Sequence, residues 1–234
     1  MSALFALLGY QSALLLRSQR WLPPFLLYGI ILAVGIQPGR PVLDALGYSA
    51  AALLPVTAWL VRVCVTQEPT SARDITSAAT SPQRVQLAPL LTALMGAGLL
   101  GCMGTTVVVL VSKAMGADNR TVVPLPEATF AGLLAAAVCA LTGAAVAALC
   151  TRPLLYSRGW SLALTALGSL LALVTTGSPA KYAVTVLVSG SRTGDPRLPL
   201  LAFAGALLFA VLAGAAACAM GPLRGTDVAT ETSG

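Results

Sequence analysis

The chain has 234 residues, of which 57% are hydrophobic and 9% charged, with a formal net charge of +6 and no histidine. A soluble domain carries roughly 25% charged residues, so so few charges together with apolar runs near the ~20 residues a bilayer requires predict an all-α polytopic membrane protein. The lack of histidine excludes Ser–His and Cys–His nucleophile pairs, histidine zinc ligands and the usual proton shuttle near neutral pH. The positive residues stand singly or in pairs beside apolar runs, as topology signals do, and form no basic stripe for nucleic acid.

In chain order, residues 1–20 are expected to form an N-terminal interfacial helix, with Leu4, Leu7, Leu8 and Leu14 to Leu16 apolar and Gln11, Arg17 and Arg20 polar. A six-helix transmembrane domain over 21–220 follows. Span 1, about 22–36, opens behind Trp21 at headgroup level, and Pro23 and Pro24 fit its first turn. At 15 residues it borrows flanking residues or sits in a thinned bilayer. Gln37 to Pro41 is a turn, and span 2 covers about 47–65, with Arg62 snorkelling near its end. Residues 66–84 are the most polar internal stretch. Within it, Ser71-Ala72-Arg73-Asp74 has capping-box spacing for a short helix over about 72–79, and Ser81-Pro82 reads as the start of the next helix.

Span 3 is about 87–111 and span 4 about 128–150. The loop between them includes Asn119-Arg120-Thr121, which matches a glycosylation sequon by chance. Span 5 opens at Trp160 and covers about 161–176. In the connection 177–197, the stretch KYAVTVLVSG is apolar enough to lie on or dip into the membrane. Its β-branched residues favour strand, while a membrane setting favours helix. Span 6 is about 198–220, and 221–234 is a mobile cytoplasmic tail.

The five cysteines, Cys64, Cys102, Cys139, Cys150 and Cys218, lie within or at the ends of apolar segments and read as buried, inert thiols. No metal site, cofactor site or catalytic residue is expected. With the N-terminus inside, eight basic residues fall on the cytoplasmic side and six outside, so both termini are placed in the cytoplasm. The bias toward Ala, Gly, Leu and Arg suggests a bacterial source with a GC-rich genome, and hence the bacterial cytoplasmic membrane.

Only Arg62 falls inside a span. Ion-coupled transporters place carboxylates or lysines near the midplane, so this interior argues against proton coupling. The spans do carry small residues at four-residue spacing: Gly132, Ala136 and Ala140, then Cys139, Gly143 and Ala147, then Ala210, Gly214 and Cys218. This spacing permits close helix packing in lipid, within one bundle or at a subunit interface. No GxxxxGK[ST] loop is present, so any ATP would be hydrolysed by a partner. The docking surface for such a partner is expected at Glu68, Arg73, Asp74 and Arg84.

The layout resembles the six-helix membrane subunits of bacterial ABC exporters of the drug and polysaccharide export type. An interfacial helix with Arg17 and Arg20, six spans, a charged segment between spans 2 and 3, and a longer outer segment before span 6 carry the likeness. The stretch TAWLVRVCVTQEPTSARDITSAATSPQRVQLAPLLTAL, Thr57 to Leu94, is similar to the corresponding region of small ABC-transporter-associated membrane proteins. The resemblance implies an elbow helix at 2–20, a coupling helix around Glu68 to Arg84 that contacts an ABC-type ATPase subunit, and short external helices at 179–190. It also implies a homo- or heterodimer of membrane subunits. The alternative is a non-transporting accessory or immunity protein that binds a partner within the bilayer.

Overall fold

The computed structural model describes residues 2–67, 82–116, 123–150, 158–193 and 198–223, and within these the chain is helical with no strand. The helices are α1 (Ser2–Ser18), α2 (Leu22–Gly35), α3 (Val42–Gln67), α4 (Pro82–Val111), α5 (Leu125–Cys150), α6 (Arg158–Val174), α7 (Pro179–Thr193) and α8 (Leu200–Leu223). Four of them, α3, α4, α5 and α8, are long and apolar enough to cross a membrane, and α6 and α7 together make a fifth candidate, bent by 44° at their junction. Helix α2 is apolar but shorter, at 14 residues.

Helix α3 is the axis of the bundle. Leu46, Leu53, Leu54, Val56 and Leu60 are almost wholly buried, and the surrounding helices pack against them with small residues. A Cβ on Gly132 of α5 would come within 2.7 Å of Leu46, one on Gly96 of α4 within 2.9 Å of Leu60, and one on Gly101 within 3.3 Å of both Leu53 and Ala136. These pairings run α3 parallel to α5 and antiparallel to α4. At Gly143 the approach is backbone to backbone, against the Leu54 carbonyl. In lipid there is little hydrophobic drive between helices, so close contact of this kind supplies the attraction. It explains why alanine, not leucine, dominates the buried face of α5.

The two ends of the bundle differ. At the near end, α1 stops at Ser18, where Gln19 adopts φ +54°, a left-handed residue that terminates helices. Gln67, the last residue of α3, donates its side-chain amide to the Leu14 carbonyl at 2.9 Å and to the Ser18 hydroxyl. Leu15 belongs to a buried cluster with Val61, Cys64, Ala93 and Ala144. At the far end, the segment leading into α3 pairs with the exit of α4: the Val42 N–H donates to the Lys113 carbonyl at 3.2 Å, and the Lys113 N–H to the Arg40 carbonyl at 3.1 Å.

Helix bounds differ from the sequence expectation at the far end. Helix α3 begins at Val42, five residues before the expected start, and α5 at Leu125. Each first turn holds an acid, Asp44 and Glu127, which suits the positive end of the helix dipole but interrupts an apolar run. The KYAVTVLVSG stretch is helix, not strand, and its helix α7 buries Ala180, Ala183, Leu187 and Gly190 along one face. Cys64 and Cys139 are buried as expected. Cys102 is exposed, because it lies on the outward face of α4 with Leu99 and Met103. Threonine hydroxyls within the helices close on carbonyls one turn back, as at Thr57 to Leu53 (2.8 Å), Thr92 to Ala88 (2.9 Å) and Thr142 to Val138 (2.8 Å), which satisfies these donors in an apolar setting, whereas the buried Ser191 hydroxyl of α7 has no such partner.

Candidate functional site

Of the expected docking residues, Glu68, Arg73 and Asp74 lie outside the described residues, as does the expected helix over 72–79. Arg84 occupies the first turn of α4. Because α3 ends and α4 begins at the near end, the polar connection between them joins the bundle beside α1. At that end the cations whose side chains are described include Arg17 and Arg20, both exposed, and Arg62, which is half-buried. Among the described residues the acidic side chains are Asp44 and Glu127, and both stand in first turns at the far end.

The expected packing residues divide in two. Gly132, Ala136, Ala140 and Gly143 are buried within the chain, with α3 closing over Gly132 and Gly143, and Gly101 of α4 against Ala136. Gly214 is different: a Cβ built there meets nothing within 4 Å. It lines a groove of about 610 Å³ in the near half of the bundle. One wall is α4, through Leu87, Leu90, Leu91 and Leu94. The other is α8, where Ala210, Gly214 and Ala215 stand beside Leu207 and Val211. The floor is α5, where Ala144, Ala145 and Ala148 lie beside Leu141. Every lining side chain is apolar. Small residues on α5 and α8 opposite four leucines create the space. The sequence carried that signal as a small-residue stripe in α8, without indicating that nothing fills it.

A second feature lies at the α6–α7 junction. Gly177 adopts φ +106°, a left-handed conformation open to glycine at no steric cost. The Lys181 ammonium reaches back from α7 to the Val174 carbonyl at 2.7 Å and caps the end of α6. Pro179 packs against Gly205 of α8 and Val188 against Gly47 of α3, which places α7 near the far end. Substituting Lys181→Met is expected to cost about 1 to 2 kcal/mol, the worth of a hydrogen bond from a charged donor. It should also speed hydrogen exchange at 175–178, measured by mass spectrometry in detergent. Unchanged exchange there would show that the cap is not holding the junction.

No protein-family model, curated protein or solved structure gives a significant match to the chain.

Proposed function

We propose that the chain is the membrane-embedded permease subunit of an ATP-driven ABC exporter, working in the bacterial cytoplasmic membrane as a homo- or heterodimer with a separate ABC-type ATPase. On this reading the chain crosses six times. The four long helices and the α6–α7 pair supply five crossings. Helix α2 supplies the sixth, its 14 residues lengthened by the segments at 19–21 and 36–41. Both termini then lie on the cytoplasmic side, and α1 lies along that face.

The observation that carries the reading is the position of the charged connection. A bundle with almost no ionisable groups sends its most polar segment out between α3 and α4. It leaves from the end where Gln67 anchors α1 and where Arg17, Arg20 and Arg62 stand. An energy-coupling contact needs such a surface: polar, mixed in charge, and joined directly to the central helix. Coupling runs through Glu68, Arg73, Asp74 and Arg84, and the ATP is hydrolysed by the partner.

Purification from cells in mild detergent should recover an ATPase subunit with the chain. Charge reversal at Arg73 and Asp74 should abolish its nucleotide-dependent transport while leaving the amount of folded membrane protein unchanged. If no ATPase co-purifies and the reversed variant keeps its cellular role, the exporter reading is wrong. A non-transporting accessory or immunity protein that binds its partner within the bilayer then takes its place.

A further inference from the structure

We propose that the break between α6 and α7 lies halfway through the membrane and lines a water-filled path, which gives a hydrated solute a route to the middle of the bundle. In one respect this rests on the transport reading: the wall facing the break belongs to the second membrane subunit of the dimer.

The depth follows from what each side of the break touches. Helix α6 starts at the near end, where the Ser161 hydroxyl donates to the Cys150 carbonyl at 2.9 Å. A Cβ on Gly168 would come within 2.9 Å of Val146. Val174 ends the helix six residues later, about 9 Å along its axis, so α6 reaches no farther than the level of Ala140. Helix α7 begins at the same level. Alongside α5, α8 runs in the same direction: Ala202 and Ala206 share a buried cluster with α5 residues from Ala128 to Ala140, and Ala213 shares another with Ala145 and Ala148. Gly205 stands eight residues before Ala213, about 12 Å, and so lies beside the middle of α5. Pro179, the first residue of α7, sits 3.8 Å from a Cβ placed on Gly205. Residues 175–178 are therefore roughly 20 Å from either end of the 26-residue α5. From there α7 runs into the far half, where Val188 meets Gly47.

The chemistry of the break excludes hydrocarbon. Thr175, Thr176 and Gly177 are exposed, so the chain itself does not cover them. The Thr176 and Gly177 N–H groups have no partner among the described residues, and the Ser178 hydroxyl is buried without one. Lys181 adds an ammonium, of which the Val174 carbonyl at 2.7 Å takes one of three donors. Irregular backbone at membrane depth is tolerated only inside protein or against a water-filled cavity, and an ammonium facing lipid there is costly. Water satisfies each of these groups, whereas an apolar helix face laid over them would satisfy none. Membrane transporters place the polar stations of their paths at helices interrupted in this way.

The test uses the purified full chain in lipid vesicles. With the five native cysteines changed to alanine, a single cysteine is introduced by Thr176→Cys or by Leu99→Cys. Leu99 is exposed on α4 at the same depth, two residues before Gly101, whose Cβ would meet Ala136. A charged methanethiosulfonate added to both faces reacts with the thiolate, which forms only in water, so Thr176→Cys should react about tenfold faster than Leu99→Cys or more. The unaltered chain supplies a second measurement that no substitution can spoil. In hydrogen exchange on the same vesicles, the Thr176 and Gly177 amides should be exchanged at the earliest time point, while those of Ala135–Cys139 stay protected.

Thr176→Cys reacting no faster than Leu99→Cys, or protected amides at 176 and 177, would overturn the proposal. If the cysteine-free chain does not fold, the exchange measurement decides alone. No ATPase is present in either measurement. A break that meets lipid or a packed neighbour leaves the exporter reading to ATPase recovery, and a chain that recovers no ATPase leaves the water path to these two readouts.

Discussion

Gly143→Ala is expected to destabilise the protein by about 2 to 4 kcal/mol, although alanine is the better helix former by about 1 kcal/mol. The reason is what the new Cβ meets. At most positions a small side chain pushes on the end of a flexible neighbour, which swings aside. At Gly143 it pushes on the main-chain carbonyl oxygen of Leu54, with the Thr57 Cβ at 3.3 Å beside it. A helical carbonyl is held by its own hydrogen-bonding geometry and cannot rotate away, so α3 and α5 must separate. Separation also loosens Leu46 over Gly132 and Ala136 against Gly101. Unfolding in mixed detergent micelles should rank three variants. Gly143→Ala should be worst. Gly132→Ala should be milder, because the Leu46 side chain at 2.7 Å can shift. Gly98→Ala should be neutral or slightly stabilising, because nothing lies within 4 Å of it. Equal effects at Gly143 and Gly98 would contradict the close backbone approach.

Tyr28→Ala should cost about 3 kcal/mol, at the lower end of large-to-small substitutions in cores. The lipid environment removes most of the transfer penalty and leaves the lost contacts and the cavity. The Tyr28 ring is almost fully buried and occupies the space that Gly104 of α4 leaves open, so it wedges between α2, α3 and α4. Its hydroxyl donates to the Ser49 carbonyl at 3.4 Å. That bond is long, and Tyr28→Phe should lose only about 0.5 kcal/mol. Gly104→Ala should be strongly destabilising alone, since its Cβ would collide with the Tyr28 ring and hydroxyl. Combined with Tyr28→Ala it should cost less than the sum of the two, by about 1 kcal/mol or more. Strict additivity in that cycle would mean that the ring and the glycine do not meet.

Much of the bundle was legible because a bilayer imposes a length. The runs Leu87 to Val111, Ala128 to Cys150 and Leu198 to Met220 are too long and too apolar for another reading, and each corresponds to a long helix. Helix starts were harder. Asp44 and Glu127 stabilise a first turn through the helix dipole, yet a hydropathy scan reads them as the end of the membrane. The Val184 to Val188 stretch could not be decided from propensity. Its helix satisfies its own N–H and C=O groups, which a lone strand in an apolar setting could not do. For the site, the small-residue stripes were visible, but not their partners. Gly143 pairs with Leu54 and Gly214 with empty space, and nothing in the local spacing separates the two. A groove is a relation among three helices distant in sequence, so it appears only once they are assembled.

Helix α3 combines two properties that usually exclude each other. It is among the most enclosed of the long helices, with 61% of its apolar window buried, yet it is the least apolar, with a mean hydropathy of 1.6 against 2.1, 2.3 and 2.4 for α4, α5 and α8. If the chain enters a bilayer in order of synthesis, α3 arrives with Ser49 and Thr57 not yet covered by α5, which is made later. Its insertion is then a shared event. Helix α2, already made, shields one side through Tyr28, and the arrival of α5 completes the enclosure. Changes that weaken α5 should then show up as loss of α3 from the membrane, an effect that acts across the 83 residues from Val42 to Leu125 and begins before the protein has folded.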